Sequence, residues 1–376
     1  QVKPVLNNLA TILKWYLNSI IAFIIFNLLR IKYRYKYANE RGIIFINTGT
    51  LGDVVISSML LDLDIPEEIT LIVKKEYSDL FADYDGKNKI LFLEHGRYKW
   101  SIRYRFNFLR QLRSLKAGLC INLTSARGIS SDEIALLSGA DSIGCFHNSW
   151  VKLPKVFKKK IDSYYDKIFC PETTNEYERH FELISLLLED KKEYQVIKER
   201  LTSLPGRNNK EESAAEKYIV IAPLSSDKTR TWGNKNYKLF CDQISDKIKV
   251  YLVGTDEERE TVETIISGND KLTNLAGKLR LNDLSALIKN SALFIGNDSG
   301  LTHLALKLGV PLIAIIGGGN FDKYFPYRSN ANRVYFYHIL DCFGCEWNCR
   351  YNEKYCLTKV NPDEVFEKAL NMTGLK

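Results

Sequence analysis

Apolar runs of only four or five residues, rich in Ile, Leu, Val and Phe, recur along this chain and are separated by stretches with helical spacing. Runs so short, with no polar residue at alternate positions, have the pattern of strands covered on both faces, and the intervening periods that of amphipathic helices. That alternation is the signature of a parallel α/β sheet. We read strands at Ile43–Asn47, Ile69–Val73, Ile90–Leu93, Leu119–Leu123 and Ser142–Phe146, then a helix around Tyr177–Leu188. A second series comprises Tyr218–Ala222, Val250–Val253, Ala292–Gly296 and Leu312–Ile316, with helices starting near Asn234, Asp256, Asn282 and Ser299. Asn361-Pro362 is a cap followed by a first-turn proline and should open a terminal helix. Between the two series, 204–216 (LPGRNNKEESAAE) has no apolar period and reads as a linker.

The 376 residues correspond to two or three domains at roughly 150 residues each. We therefore expect two doubly wound domains facing each other across a cleft, 41–203 and 217–360, joined by 204–216 and closed by a C-terminal helix at 361–376. Ligands in such sheets bind beyond the carboxyl ends of the strands.

The net charge is +8, from 53 Lys and Arg against 45 Asp and Glu, too mild for non-specific nucleic-acid binding to be the leading reading. Most of the excess is N-terminal: residues 1–40 hold Lys3, Lys14, Arg30, Lys32, Arg34 and Lys36 against Glu40 alone. Within them Trp15–Leu29 (WYLNSIIAFIIFNLL) would cover about 22 Å as a helix, short of the ~30 Å hydrocarbon core. Its helical apolar spacing and basic, aromatic flank predict a helix lying on a membrane surface, with the rest of the chain on the cytoplasmic side. Packing on the chain's own body or on a second subunit is the alternative. A removed signal peptide fits less well, because no small-x-small cleavage pattern follows.

Four places carry chemical signatures. Asn47-Thr48-Gly49-Thr50-Leu51-Gly52-Asp53 is a small turn leaving a strand and opening a helix; Gly49 and Gly52 let backbone approach a ligand, and Asp53 is placed to act as a general base. The plain alternative is a tight turn in which Asp53 only starts the helix. In Ala222–Trp232 (APLSSDKTRTW) the hydroxyls of Ser225 and Ser226 and the cation of Arg230 are donors suited to a diphosphate, or else line a solvated turn. In Phe294–His303 (FIGNDSGLTH) a buried strand runs through Asp298 into Ser299 and Gly300 at a helix start, with His303 on its first turn, a site for an anion. Finally Cys342-x2-Cys345-x3-Cys349-x6-Cys356 gathers four of the eight cysteines; structural zinc, an iron–sulfur cluster, disulfides and unligated thiols all remain open.

In combination, TLGDVVISSMLL, the Ser225–Trp232 loop, LAGKLRLNDLSALI (275–288) and GNDSGLTHLALKLGVPLIAIIG (296–317) resemble the lipopolysaccharide heptosyltransferases, glycosyltransferase family nine. The resemblance runs from about Gly42 to Leu370 and implies a GT-B fold of two Rossmann-like domains. It implies inverting, metal-independent transfer of a sugar, with ADP-heptose the favoured donor, to a lipopolysaccharide core or other anionic lipid-linked glycan at the cytoplasmic face of the bacterial inner membrane. By position, Asp53 matches the family's proposed base. Ser225, Ser226 and Arg230 match its phosphate-binding residues, Arg230 standing where the family has lysine. Asp298, Ser299, Gly300 and His303 match its diphosphate and sugar segment, and Asp256 sits where an acid accepts from ribose hydroxyls. The basic residues Arg97, Lys99, Arg103, Arg105, Arg110, Arg113 and Lys116 form a stretch in the first domain, and Arg127 follows a strand end; of these we single out Arg97 and Arg127 as candidates to hold an anionic acceptor. Another nucleotide-sugar donor, or a non-catalytic nucleotide-sugar binder on the membrane, is the alternative.

Overall fold

The computed structural model describes residues 42–63, 65–147, 155–170, 172–188 and 217–375, so the expected N-terminal helix and the 204–216 linker lie outside the described residues. Contacts divide the chain into two compact units. The first runs to Ser78 and from Asp83 to Cys170; the second takes Asp79–Ala82 and everything from Pro171 onward.

In the first unit β1 (Ile43–Asn47) is flanked by β2 (Ile69–Lys74) and β3 (Lys89–Leu93) on one side and by β4 (Leu119–Asn122), β5 (Ser142–Phe146) and β6 (Lys167–Phe169) on the other. The order is β3-β2-β1-β4-β5-β6 and every pairing is parallel. Helices α1 (Leu51–Ser58), α2 (His95–Trp100), α3 (Ile102–Ser114), α4 (Ile129–Leu136) and α5 (Lys155–Asp162) occupy the crossovers. All five residues of β1 are buried, which is why its sequence shows no alternation. Ile44, Ile46, Ile72, Tyr98, Phe108 and Leu112 belong to the core beneath α2 and α3.

The second unit repeats the plan. Its strands are β7 (Tyr218–Ala222), β8 (Lys249–Leu252), β9 (Leu272–Asn274), β10 (Leu293–Asn297), β11 (Leu312–Ile315) and β12 (Arg333–Phe336), in the parallel order β12-β11-β10-β7-β8-β9. Counted within each unit, both orders are 3-2-1-4-5-6, the Rossmann arrangement with a switch point between the first and fourth strands. The helices are α6 (Glu176–Leu188), α7 (Asn234–Ile244), α8 (Arg259–Ile266), α9 (Leu281–Asn290), α10 (Gly300–Lys307), α11 (Tyr355–Thr358) and α12 (Pro362–Thr373). The last opens as expected, with the Asn361 side chain accepting from the Asp363 N–H at 3.0 Å, and ends at Gly374 in the left-handed region at φ 72°.

The fold class is the expected α/β one, GT-B with two Rossmann-like units, while two details differ from the sequence reading. β6, β9 and β12 carry no clear apolar run: the first two are three residues long and β12 begins with Arg333. The unit boundary also falls at Cys170 and not at 203. Helix α6 joins the second unit, where the Glu176 N–H donates to the Lys323 carbonyl at 2.8 Å and Arg328 pairs with Glu178 at 2.8 Å. The break before it is the five-residue segment 171–175 (PETTN), too brief to read as a linker.

Candidate functional site

Each unit has a switch point between its first and fourth strands, and each is organised by an asparagine ending a central strand. In the first unit Asn47 is 1% exposed. Its Oδ1 accepts the Gly49 N–H at 2.9 Å, and its Nδ2 donates to the Asp53 carbonyl at 3.0 Å and to Ser57 Oγ at 2.5 Å. The amide thus pins the turn over the strand end. A Cβ on Gly49 would lie 2.5 Å from Asp53 Oδ2 and 2.8 Å from Asp53 Cβ, so glycine is required there by close approach. Gly52 is buried in the first turn of α1.

Asp53, partly buried, is the third residue of α1. Its Oδ2 accepts from the Thr50 N–H and from Thr50 Oγ1, both at 2.8 Å, so this carboxylate reaches back over the helix start as in a capping box. Its Oδ1 accepts from Ser125 Oγ at 3.2 Å, a residue from the segment after β4. The Thr48 N–H donates to Thr124 Oγ1 at 3.1 Å and ties the same two segments. The turn reading and the chemical reading of Asp53 are therefore compatible: one carboxylate starts the helix and stands at the crevice.

The basic residues of this unit divide. Arg127 is only 2% exposed. Its guanidinium bonds Asp162 and Cys145 Sγ, lies 3.7 Å from Asp132 Oδ1, and covers the Tyr165 ring at 5.2 Å. Its charge is neutralised inside the unit, which turns it away from the acceptor contact expected of it. Arg105 is turned inward as well, donating to the Tyr98 carbonyl at 3.1 Å and pairing with Glu133 at 3.4 Å. Burial pushes Glu133 up to about 7 although Arg105 and the Tyr98 hydroxyl pull it down. Arg97 is exposed, bonded to Glu94 at 3.1 Å and stacked over Tyr104 at 5.0 Å.

In the second unit the corresponding amide is Asn297, which is fully buried at 0% exposure. Its Nδ2 donates to the Pro223 carbonyl at 2.8 Å and the Ala222 carbonyl at 3.4 Å, and its Oδ1 accepts the Trp232 N–H at 2.9 Å. Both ends of the loop carrying Ser225, Ser226 and Arg230 are thereby fastened to the end of β10. Trp232 is buried beneath it, its indole N–H donating to the Val360 carbonyl at 3.0 Å. Within the loop Asp227 caps a short 3-10 turn (Lys228–Arg230), accepting from the Thr229 N–H at 2.9 Å and lying 3.5 Å from Arg230 Nε. Ser225 Oγ and Arg230 Nε are buried with no hydrogen-bond partner. Ser226 is exposed.

Across the switch point Ser299 holds the N-cap position of α10 without a side-chain capping bond, and Gly300 is its first helical residue; first-turn amides of a helix lack intrahelical partners and favour an anion. Asp298 is 5% exposed, and burial raises its carboxyl to about 6 against the opposing pull of Arg230 and Lys323. His303 is 4% exposed; burial, then the Arg230 charge, lower it to about 3, so the imidazole is neutral. Its Nδ1 shares a hydrogen bond with the Tyr177 hydroxyl of α6 at 2.5 Å, and its ring stacks on Phe325 at 4.6 Å. Asp256 lies past the carboxyl end of β8, exposed and paired with Arg259 at 2.5 Å. Gly277, at φ 69°, closes against it: a Cβ there would be 2.6 Å from Asp256 Oδ1.

Of the readings open for the cysteine run, the structure has free thiols. Cys342, Cys345 and Cys349 are partly exposed and Cys356 is buried. Burial, followed by the neighbouring thiols, raises Cys356. Among the described residues no three His, Cys, Asp or Glu side chains converge on a metal position. The segment is packed through Phe343 and Trp347 instead, whose rings lie so close to Gly318 and Gly319 that neither position has room for a Cβ. This arrangement, among the described residues, does not fit zinc or an iron–sulfur cluster.

Asn47, Asn297, Tyr177 and Lys323 were not among the expected site residues. The two asparagines do carry a signal, an amide closing an otherwise apolar buried strand. Tyr177 and Lys323 carry none.

The sequence model of glycosyltransferase family 9 (heptosyltransferase) matches residues 162–348. Lipopolysaccharide heptosyltransferase 3 of Escherichia coli is 24% identical over 277 residues, spanning 69% of this chain and 76% of that protein. Among solved structures, E. coli ADP-heptose lps heptosyltransferase II superposes with a TM-score of 0.65 at 18% identity, over 88% of this chain and 98% of that one. E. coli heptosyltransferase WaaC, solved with ADP-2-deoxy-2-fluoro heptose, gives 0.59 at 15% identity over 88% and 99%.

Proposed function

The chain belongs to glycosyltransferase family 9 and is a glycosyltransferase, and on that premise we propose that it moves heptose from ADP-heptose to a lipopolysaccharide core or related lipid-linked glycan, inverting the anomeric carbon without a metal ion. The observation that carries the reading is in the second unit. Ser225 Oγ is buried with no hydrogen-bond partner, and in the same loop the Arg230 guanidinium is paired with Asp227 at 3.5 Å, at the switch point where α10 also starts. A buried donor left unpaired destabilises a fold, and a diphosphate would satisfy the hydroxyl and meet the guanidinium charge. The ADP-heptose analogue bound by E. coli WaaC supports the donor, and the similarity to a lipopolysaccharide heptosyltransferase supports the acceptor class.

In the proposed step the acceptor hydroxyl oxygen attacks the anomeric carbon while its proton passes to Asp53. The bond from that carbon to the β-phosphate oxygen breaks, and ADP departs with the electron pair. Arg230, the hydroxyls of Ser225 and Ser226 and the Ser299 and Gly300 amides stabilise the charge developing on the diphosphate. The neutral His303 contributes a hydrogen bond without adding charge, and Asp256 accepts from the ribose. The protein would work at the cytoplasmic face of the inner membrane.

Transfer from a panel of nucleotide sugars to lipid-linked core acceptors, read by mass spectrometry and by the anomeric coupling of the product, tests this. ADP-heptose should be the preferred donor, the anomer should be inverted, and EDTA should leave the rate unchanged. Asp53→Asn should lower kcat by at least about 100-fold while ADP still binds. Full activity in that variant removes the base. Preference for another donor moves the specificity while keeping the diphosphate site.

A further inference from the structure

Helices α2 and α3 present a face that no part of the donor or base chemistry uses. Among the described residues eight large apolar side chains are exposed, and four of these, Phe92, Trp100, Ile102 and Phe106, lie in one stretch of the first unit. Trp100, Ile102 and Phe106 are 59%, 66% and 55% exposed. Singly exposed apolar residues are ordinary, but a cluster calls for an explanation. On α3 the inward side is Arg105, Phe108, Leu109 and Leu112. The outward side carries Ile102, Arg103, Phe106 and Arg110, so aromatic, aliphatic and guanidinium groups alternate on one exposed stripe.

Charge points the same way. From His95 to Lys116 there are seven Lys and Arg and no Asp or Glu. Two of the seven are turned away: Arg105 is buried, and Arg113 donates to the Leu137 carbonyl at 2.9 Å. Arg97, Arg103, Arg110 and Lys116 remain exposed, Arg97 being paired with Glu94, the residue just before this stretch, at 3.1 Å. Exposed tryptophan, isoleucine and phenylalanine among arginines match a bilayer interface, where rings and aliphatic groups enter the acyl boundary and guanidinium groups meet phosphates.

We propose that this face of the first unit docks on an anionic lipid bilayer, with Trp100, Ile102 and Phe106 entering the interface and Arg97, Arg103 and Arg110 meeting the headgroups. The proposal adds a second membrane contact to the one expected of residues 1–40, and it needs no catalytic event. Its failure is therefore separable from failure of the sugar-transfer reading.

The test uses the full chain with phosphatidylcholine vesicles, with and without phosphatidylglycerol, read by flotation and by amide hydrogen exchange. Anionic vesicles should protect amides between 98 and 112, and added salt should reverse the protection. The combined variant Trp100→Ser, Ile102→Ser, Phe106→Ser should lower partitioning by about tenfold or more and abolish that protection. Arg103→Glu with Arg110→Glu should weaken binding comparably and flatten its salt dependence. All five positions are exposed, so circular dichroism and the melting temperature should stay at wild type, which separates lost docking from misfolding. Flotation with no protected amide in this stretch would place binding elsewhere and overturn the proposal. So would unchanged partitioning in both folded variants.

Discussion

Replacing Asn297 by alanine should weaken the second unit at the loop that carries Ser225 and Arg230. The amide makes bonds of 2.8 and 2.9 Å to the Pro223 carbonyl and the Trp232 N–H, and a longer one of 3.4 Å to the Ala222 carbonyl. At 0% exposure no water can replace it without a cavity opening. Each of the two shorter bonds, once lost, leaves a buried backbone group unsatisfied at about 1–3 kcal/mol. The void left by the side chain adds about 1 kcal/mol. The expected loss is then about 3–7 kcal/mol, a large share of the roughly 5–15 kcal/mol that a domain possesses. Urea unfolding followed by tryptophan fluorescence should show the transition moving to lower denaturant with an unchanged slope. Calorimetric titration with ADP should show affinity down by about tenfold, because the loop bearing Ser225 and Arg230 is no longer fastened. Asn297→Asp separates shape from hydrogen bonding: it keeps the acceptor for Trp232 but turns a negative oxygen toward two carbonyls, and should be at least as destabilising. A loss below about 1 kcal/mol in Asn297→Ala, or a benign Asn297→Asp, would refute the amide's role as the fastening.

Three further outcomes follow from the same geometry. Ser225→Ala removes a buried hydroxyl that has no partner, so stability should stay level or rise slightly by thermal melting while ADP affinity drops by about tenfold. Asp298, raised to about 6, is neutral below that pH and ionised above it, and a diphosphate is repelled by the ionised form. ADP should bind more tightly as pH falls from 7 to 5 and take up a proton on binding, both seen by calorimetry in buffers of different ionisation enthalpy; Asp298→Asn should flatten this dependence, and an unchanged pH profile would count against it. Gly49→Ala forces a methyl to within 2.5 Å of Asp53 Oδ2. It should lower kcat by about tenfold or more through the displaced carboxylate, leave ADP affinity unchanged, and lower stability by about 1–3 kcal/mol.

What could be read from the residues depended on whether the partners of a feature were local. The central strands β1, β7, β10 and β11 declare themselves because burial on both faces demands unbroken apolar runs. The outer strands β6 and β9 are held by one neighbour each and need no such run. The Gly49–Asp53 turn and the Asp298–His303 segment are legible because a strand, a small turn and a helix start follow one another within a few residues. Arg127 misleads for the opposite reason: Asp162, which draws it inward, lies 35 residues away. Tyr177 reaches His303 across 126 residues, and only after α6 has joined the second unit.

The recurrence of asparagine at the end of β1 and of β10 has a physical reason. A strand passing into a tight turn leaves backbone groups without ladder partners, and an amide side chain can bond an N–H and a carbonyl at once because it holds a donor and an acceptor. Asn47 does this with the Gly49 N–H and the Asp53 carbonyl, and Asn297 with the Trp232 N–H and the Pro223 carbonyl. Aspartate would bring a charge that burial penalises, and serine is too short to span the turn. In each unit the residues proposed for chemistry, Asp53 in one and Ser225, Arg230 and Ser299 in the other, are therefore carried on backbone fixed by a neutral buried amide. Substitutions at Asn47 should accordingly fall on kcat through Asp53, and those at Asn297 on nucleotide affinity, although neither side chain is proposed to touch a substrate.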